Sequence, residues 1–183
     1  MLSKSHTAWG GALTQVAWGG ALIATASVSA GAAAAGQLTV DIQVPQQAVA
    51  EYHKPYITGW IEDGSGQVKG TVFVWYDVKK RDGGGLKYLK EMRSWWRKAG
   101  RDMAPPADGV SGATRAPGRQ TVTTNAMVKA LPAGQYSLVV EASREGGGHD
   151  LVKLPFAYTP AKPVTVSGKG DGELGDVHLT YKP

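Results

Sequence analysis

Residues 55–78 read PYITGWIEDGSGQVKGTVFVWYDV. The two ends of this stretch, Pro55–Glu62 and Val68–Val78, are rich in β-branched and aromatic residues, which suit a pleated, half-buried surface. Asp63-Gly64-Ser65-Gly66 lies between them and carries the residue types of a hairpin turn. A lone hairpin is marginal in water and needs partner strands. The rest of the chain supplies them. Gln37–Val44 (QLTVDIQV) alternates apolar and polar residues, as a half-buried strand does. Gln120–Leu131 reads as a returning strand. Leu131-Pro132-Ala133-Gly134-Gln135-Tyr136 then feeds the strand Ser137–Ser143, with Tyr136 placed so that its hydroxyl can close a corner against backbone. Gly146-Gly147-Gly148 turns the chain into His149–Tyr158. A last hairpin joins Lys162–Gly168 to Asp176–Tyr181 around Lys169-Gly170-Asp171-Gly172-Glu173. About seven to nine short strands with regular turns predict an all-β fold, an antiparallel immunoglobulin-like β-sandwich spanning residues 37–183 as one domain. A β-barrel is the alternative.

One segment changes period. Within Leu86–Ala99, Leu89, Met92, Trp96 and Ala99 recur at helical spacing, flanked by Leu86, Tyr88 and Trp95, while Lys87, Lys90, Arg97 and Lys98 fall off that stripe. The spacing predicts a short amphipathic helix over 86–99 that Gly100 closes at its C-terminus. Met103–Gly118 comes next as a long loop, with Pro105, Pro106 and Pro117 opposing regular structure.

The N-terminus predicts export. Lys4 precedes an uncharged apolar run over residues 16–30, and Ala32-Ala33-Ala34-Ala35 offers small-residue cleavage sites, so residues 1–35 read as a signal peptide and the periplasm as the destination. The run falls short of the roughly 20 residues that span a bilayer. The chain has 183 residues and no cysteine, which removes thiolate nucleophiles, Fe–S clusters and Cys-attached haem. Net charge is +5, and Lys79–Arg101 alone holds nine Lys/Arg against Asp82 and Glu91. For an exported chain this excess suits an anionic cofactor, an acidic protein or a lipid surface, and no nucleic-acid partner is expected.

The loop contains Asp108-Gly109-Val110-Ser111-Gly112-Ala113-Thr114. This stretch resembles the acceptor motif of proteins that carry covalent flavin mononucleotide (FMN), which reads Asp, Gly or a similar residue, any residue, Ser or Thr, Gly, Ala, Thr. Six specified positions at roughly 7% per common residue make a chance match at a given start about one in ten million. In the resemblance an FAD-dependent FMN transferase outside the cytoplasm joins FMN to the threonine hydroxyl as a phosphoester, so Thr114 is the implied attachment site. The wider layout is similar to a family of predicted periplasmic proteins known as a domain of unknown function. Its members are encoded near flavin transferases and membrane flavoreductase-like proteins of the PepSY type, which implies a PepSY-type electron donor.

The residue types fit that chemistry. Gly109 and Gly112 permit backbone conformations and close approach that other residues hinder. Ala113 keeps the neighbour of Thr114 small, and Asp108 and Ser111 can bond local backbone and shape the turn. Arg115, Arg101 and Arg119 are candidates to pair with the phosphate, and Trp95 or Trp96 to offer a flat face to the ring. Other motifs fail on context. Gly109–Ala113 lacks the second glycine of a hydrolase nucleophile elbow. The glycine-rich stretch Gly170–Gly175 precedes a strand rather than a helix, so it reads as a hairpin and not a dinucleotide site. Two functions remain open: an electron-transfer flavoprotein, alone or as the soluble subunit of an extracytoplasmic reductase, with ferric iron or another flavodomain as acceptor; or a cofactor-free sandwich that binds an anionic or carbohydrate ligand.

Overall fold

The computed structural model describes residues 36–183; the expected signal peptide lies outside them. Among the described residues nine strands form two sheets: β1 (Gln37–Val44), β2 (Tyr56–Asp63), β3 (Val68–Tyr76), β4 (Ser111–Ala113), β5 (Gly118–Thr124), β6 (Gly134–Ser143), β7 (His149–Tyr158), β8 (Val164–Lys169) and β9 (Asp176–Lys182). One sheet has the order β5-β1-β9-β8, the other β4-β3-β2-β6-β7. Leu38, Val40 and Ile42 from the first sheet pack with Ile57, Phe73 and Leu138 from the second in one apolar core. The fold is the all-β sandwich that the alternating strands predict.

The local signals behave as their chemistry requires. Asp63 Oδ1 accepts from Ser65 N at 2.9 Å and Gln67 N at 3.0 Å, and Gly66 takes φ +81°, so the β2–β3 turn closes on its own side chains. Tyr136 Oη donates to Pro132 O at 2.9 Å and forms the tyrosine corner at the start of β6. In β7, Val152, Leu154, Phe156 and Tyr158 point inward while the residues between them face out.

β2 breaks the alternation because both its faces are covered. Ile57 and Ile61 meet the inter-sheet core; Trp60, with Val74, Tyr76 and Val139, builds a second core on the outer face of the five-stranded sheet. Residues 81–100 cover that face. They do not form the single helix expected over 86–99. They run as short turns: 3₁₀ at Arg81–Gly83, α1 (Gly84–Lys87), 3₁₀ at Tyr88–Glu91, α2 (Arg93–Trp95) and a π turn at Trp96–Gly100. The break falls at Met92, whose φ and ψ are −77° and 69°. The buried Glu141 carboxylate explains where the chain restarts, since it accepts from Ser94 N at 2.9 Å and Trp95 N at 2.8 Å and so satisfies orphan donors of a new turn. Gly100 is no left-handed cap. Arg101 after it stays right-handed, and a Cβ on Gly100 would lie 2.7 Å from the Trp95 ring, so the glycine is required for space.

Two further expectations change. The strand expected over 120–131 ends at Thr124, and α3 (Ala126–Ala130) comes after it, held to the core by Val128 and by Tyr158 Oη donating to Val128 O at 3.1 Å. The loop over 103–118 contains β4, which pairs parallel to β3 and makes that sheet mixed.

Glu62 is 2% exposed and binds Trp60 Nε1 at 2.8 Å, Lys98 Nζ at 2.5 Å and Lys153 Nζ at 3.1 Å. Burial alone would raise its carboxyl; the hydrogen bonds from Lys98, Trp60 and Lys153 outweigh burial and hold it below its ordinary 4.5. A depressed carboxyl stabilises the fold above its unfolded pKa, and that contribution disappears as pH falls through the folded value. Glu62→Gln is therefore expected to be less stable than wild type near pH 7, with the gap in Tm closing below about pH 4.5. A gap independent of pH in thermal melts would show that these partners do not hold the carboxylate ionised.

Candidate functional site

The motif loop is a built turn. Ser111 N donates to Ala107 O at 2.9 Å, and Ser111 Oγ accepts from Ala107 N at 3.0 Å, so the serine locks both ends of residues 107–111. Gly109 takes φ +71°, a left-handed conformation that favours glycine. Gly112 has no such need. A Cβ there would lie 3.2 Å from Trp75 Cδ1, so its smallness serves close packing on the indole. The Asp108 carboxylate is exposed and makes no hydrogen bond to the described residues.

Backbone pairing fixes the chain beyond the turn. Val74 N donates to Val110 O at 2.9 Å, β4 pairs Ser111 with Val74 and Ala113 with Tyr76, and Thr114 N donates to Tyr76 O at 3.1 Å. Val110 packs into the second core. The backbone of Thr114 is thereby held on a sheet edge, while Ala113 before it is exposed and Thr114 itself half-buried.

Thr114 lines a cleft of about 400 Å³ with Tyr52, Lys54, Tyr56, Asp77 and Lys80, a size within the roughly 300–1,000 Å³ of small-molecule sites. Lys80 Nζ binds Glu145 Oε2 at 2.9 Å and lies 4.3 Å from the centre of the Tyr88 ring. That hydrogen bond holds the Lys80 ammonium above its ordinary range and the Glu145 carboxyl below its own, so both stay charged. Tyr52 Oη is buried and finds no partner among the described residues, and burial raises the Tyr52 phenol.

The structure sorts the residues singled out from sequence. Arg115 is exposed, with its guanidinium carbon 5.0 Å from the centre of the Trp75 ring. Arg119 lies on β5 in the other sheet and forks onto Asp41 at 3.3 and 3.0 Å, and Asp41 is lowered by Arg119 first and Thr121 second. Arg101 is exposed. Trp95 cannot offer a face to a ligand: it is 0% exposed in the second core, and its Nε1 donates to Thr71 Oγ1 at 3.1 Å. Trp96, placed on the buried stripe by its spacing, is the partly exposed one. The break at Met92 shifts the phase of the turn, so the two tryptophans exchange roles. Sequence reasoning misses Tyr52, Lys54 and Tyr56. Their one signal in sequence is a Tyr-His-Lys-Pro-Tyr run that leads into β2, whereas Lys80 belongs to the basic segment Lys79–Arg101.

No curated protein and no solved structure matches the chain. A family model described as a predicted periplasmic protein (DUF2271) matches residues 37–176, so the chain belongs to that family, and its location is the periplasm.

Proposed function

We propose that this protein carries FMN on Thr114 through a phosphoester and relays electrons in an extracytoplasmic redox chain. The observation that carries the reading is the complete acceptor motif, with its threonine on a sheet edge at the mouth of a cleft. Attachment needs the Thr114 hydroxyl to attack the FMN phosphorus of FAD. A new phosphorus–oxygen bond forms to Thr114, AMP leaves with the broken pyrophosphate bond, and the hydroxyl proton passes to solvent or a transferase base. The exposed Asp108 and Ala113 leave the approach to Thr114 open, and Ser111 keeps the turn in one shape for the transferase to read.

The cleft carries Lys54 and Lys80 as cations for a phosphate, together with the carboxylates of Asp77 and Glu145. Bound FMN supplies one- and two-electron transfer, and the protein tunes it by contact and nearby charge. On this reading a PepSY-type membrane flavoreductase donates electrons, and the protein serves as a carrier or as the soluble subunit of a reductase.

The test is co-expression with an FMN transferase and export to the periplasm. The expected product keeps yellow fluorescence after denaturation, and its intact mass rises by one FMN less water. An unmodified mass, with the same transferase active on a known acceptor, would overturn the proposal and favour the cofactor-free binding module.

A further inference from the structure

Charge is spread unevenly over the chain. The whole sequence carries +5 and Lys79–Arg101 alone +7, so the rest carries −2. Two of the nine cations in that segment are neutralised, Lys80 by Glu145 and Lys98 by Glu62. The other seven are exposed and pair with no carboxylate among the described residues. The acids on the segment are Asp82 and Glu91, with Asp77 and Asp102 flanking it. Apolar surface gathers at the same place. Five large hydrophobic side chains are exposed among the described residues, and Val78, Leu86 and Tyr88 are three of them, at 45%, 39% and 38%. They share one knob. A Cβ on Gly85 would collide with Asp77 O, and one on Gly84 would lie 3.0 Å from Lys80 Cγ. Helix α1 is therefore pressed against the turn that follows β3, with Val78 and Leu86 next to the contact. Lys80 lies over the Tyr88 ring and joins it to the same knob.

Exposed aliphatic and tyrosine side chains ringed by unpaired cations make a surface suited to the interface of an anionic bilayer, where buried apolar area and attraction to the headgroups act together. We propose that residues 78–93 dock this protein on an anionic phospholipid surface. Val78, Leu86 and Tyr88 enter the headgroup layer, and Lys79, Arg81, Lys87 and Lys90 meet the lipid phosphates. The partner is chosen by chemistry and by place. The family is periplasmic, and membranes bound that compartment. Tyrosine and aliphatic groups gain from the acyl boundary, and cations that no carboxylate orients suit mobile headgroups, whereas the fixed carboxylates of an acidic protein call for oriented donors. The negative remainder of the chain is repelled by the same surface, so charge also sets which side faces the bilayer. Lys80 lines the Thr114 cleft, so docking through this face keeps that cleft close to the membrane. The proposal does not depend on flavin at Thr114.

The experiment uses unlabelled protein recovered from the periplasm and measures its sedimentation with vesicles. Wild type is expected to bind phosphatidylcholine vesicles that contain about one-third phosphatidylglycerol, to ignore pure phosphatidylcholine, and to lose binding as salt is raised. Each cation near an anionic surface tightens binding about five-fold, so Lys87→Gln with Lys90→Gln should weaken it about twenty-fold. Val78→Ser with Leu86→Ser should weaken it several-fold at unchanged charge. Lys169→Gln with Lys182→Gln removes the same charge from exposed positions on β8 and β9 and should leave binding within about two-fold of wild type. Equal losses from the two lysine pairs would overturn the docking face and leave only attraction by net charge. Binding indifferent to Val78 and Leu86 would overturn insertion of the knob. A wild type that ignores the anionic vesicles but binds poly-glutamate would overturn the lipid surface in favour of an acidic protein.

Discussion

Thr114→Ala is expected to leave the periplasm without FMN and with its fold unchanged. The label depends on one oxygen, so its loss should be complete rather than graded. The fold depends on other atoms. Thr114 contributes its backbone N–H to Tyr76 O, and alanine keeps that bond. Its side chain lines an open cleft and makes no hydrogen bond to the described residues. A surface change of this kind moves stability by about 0.5 kcal/mol or less. Thr114→Ser keeps a hydroxyl at the same place on the sheet edge and should take at least part of the label. Intact mass measures the first effect and thermal melting the second. A Thr114→Ala chain that fails to fold would make the threonine structural and remove the basis for reading it as an acceptor.

Glu173→Ala is expected to have the largest effect on stability. Arg144 Nε donates to both Glu173 oxygens, at 3.1 and 3.0 Å, and Gly148 N donates to Oε1 at 2.8 Å. Arg144 is 9% exposed and Glu173 4%. Removing the carboxylate leaves a buried guanidinium unpaired and an amide without its acceptor. Breaking a buried pair in this way costs about 3–5 kcal/mol. For a domain of this size the Tm should fall by roughly 10 °C or more. Arg144→Leu combined with Glu173→Leu should recover much of the loss, because no buried charge is then stranded. A double variant as unstable as Glu173→Ala would show that the pair matters through the shape it imposes rather than its charge. The pair also ties the loop before β9 to the Gly146-Gly147-Gly148 turn, so Glu173→Ala should loosen that turn first.

Reading the sequence alone succeeded where a signal is local. Turn chemistry at Asp63–Gly66, alternation in Gln37–Val44 and the proline-to-tyrosine step at Pro132–Tyr136 each depend on residues a few positions apart, and each appears in the structure as expected. The motif that makes Thr114 the proposed acceptor was legible for the same reason, since a motif for another enzyme to read is written in consecutive residues. The helix over 86–99 was half legible. Its apolar content is right, but its continuity is broken by a carboxylate on β6 that no window around residue 92 contains.

Consecutive residues thus decided the alternation, the turns and the motif around Thr114, because backbone geometry and linear spacing act over a few bonds. Tertiary structure alone decided the cleft at Thr114, whose Tyr56, Asp77, Lys80 and Glu145 come from separate segments that meet only when β2, β3 and β6 pair. It also decided which tryptophan is buried, because one break in helical phase chooses between neighbours. It sent Arg119 to Asp41 on the opposite sheet, because β1 pairs with β5 and sets those side chains together. Non-local strand pairing and burial carry no signature in a short stretch of chain, so the motif at Thr114 can be read from the sequence while the cleft beside it cannot.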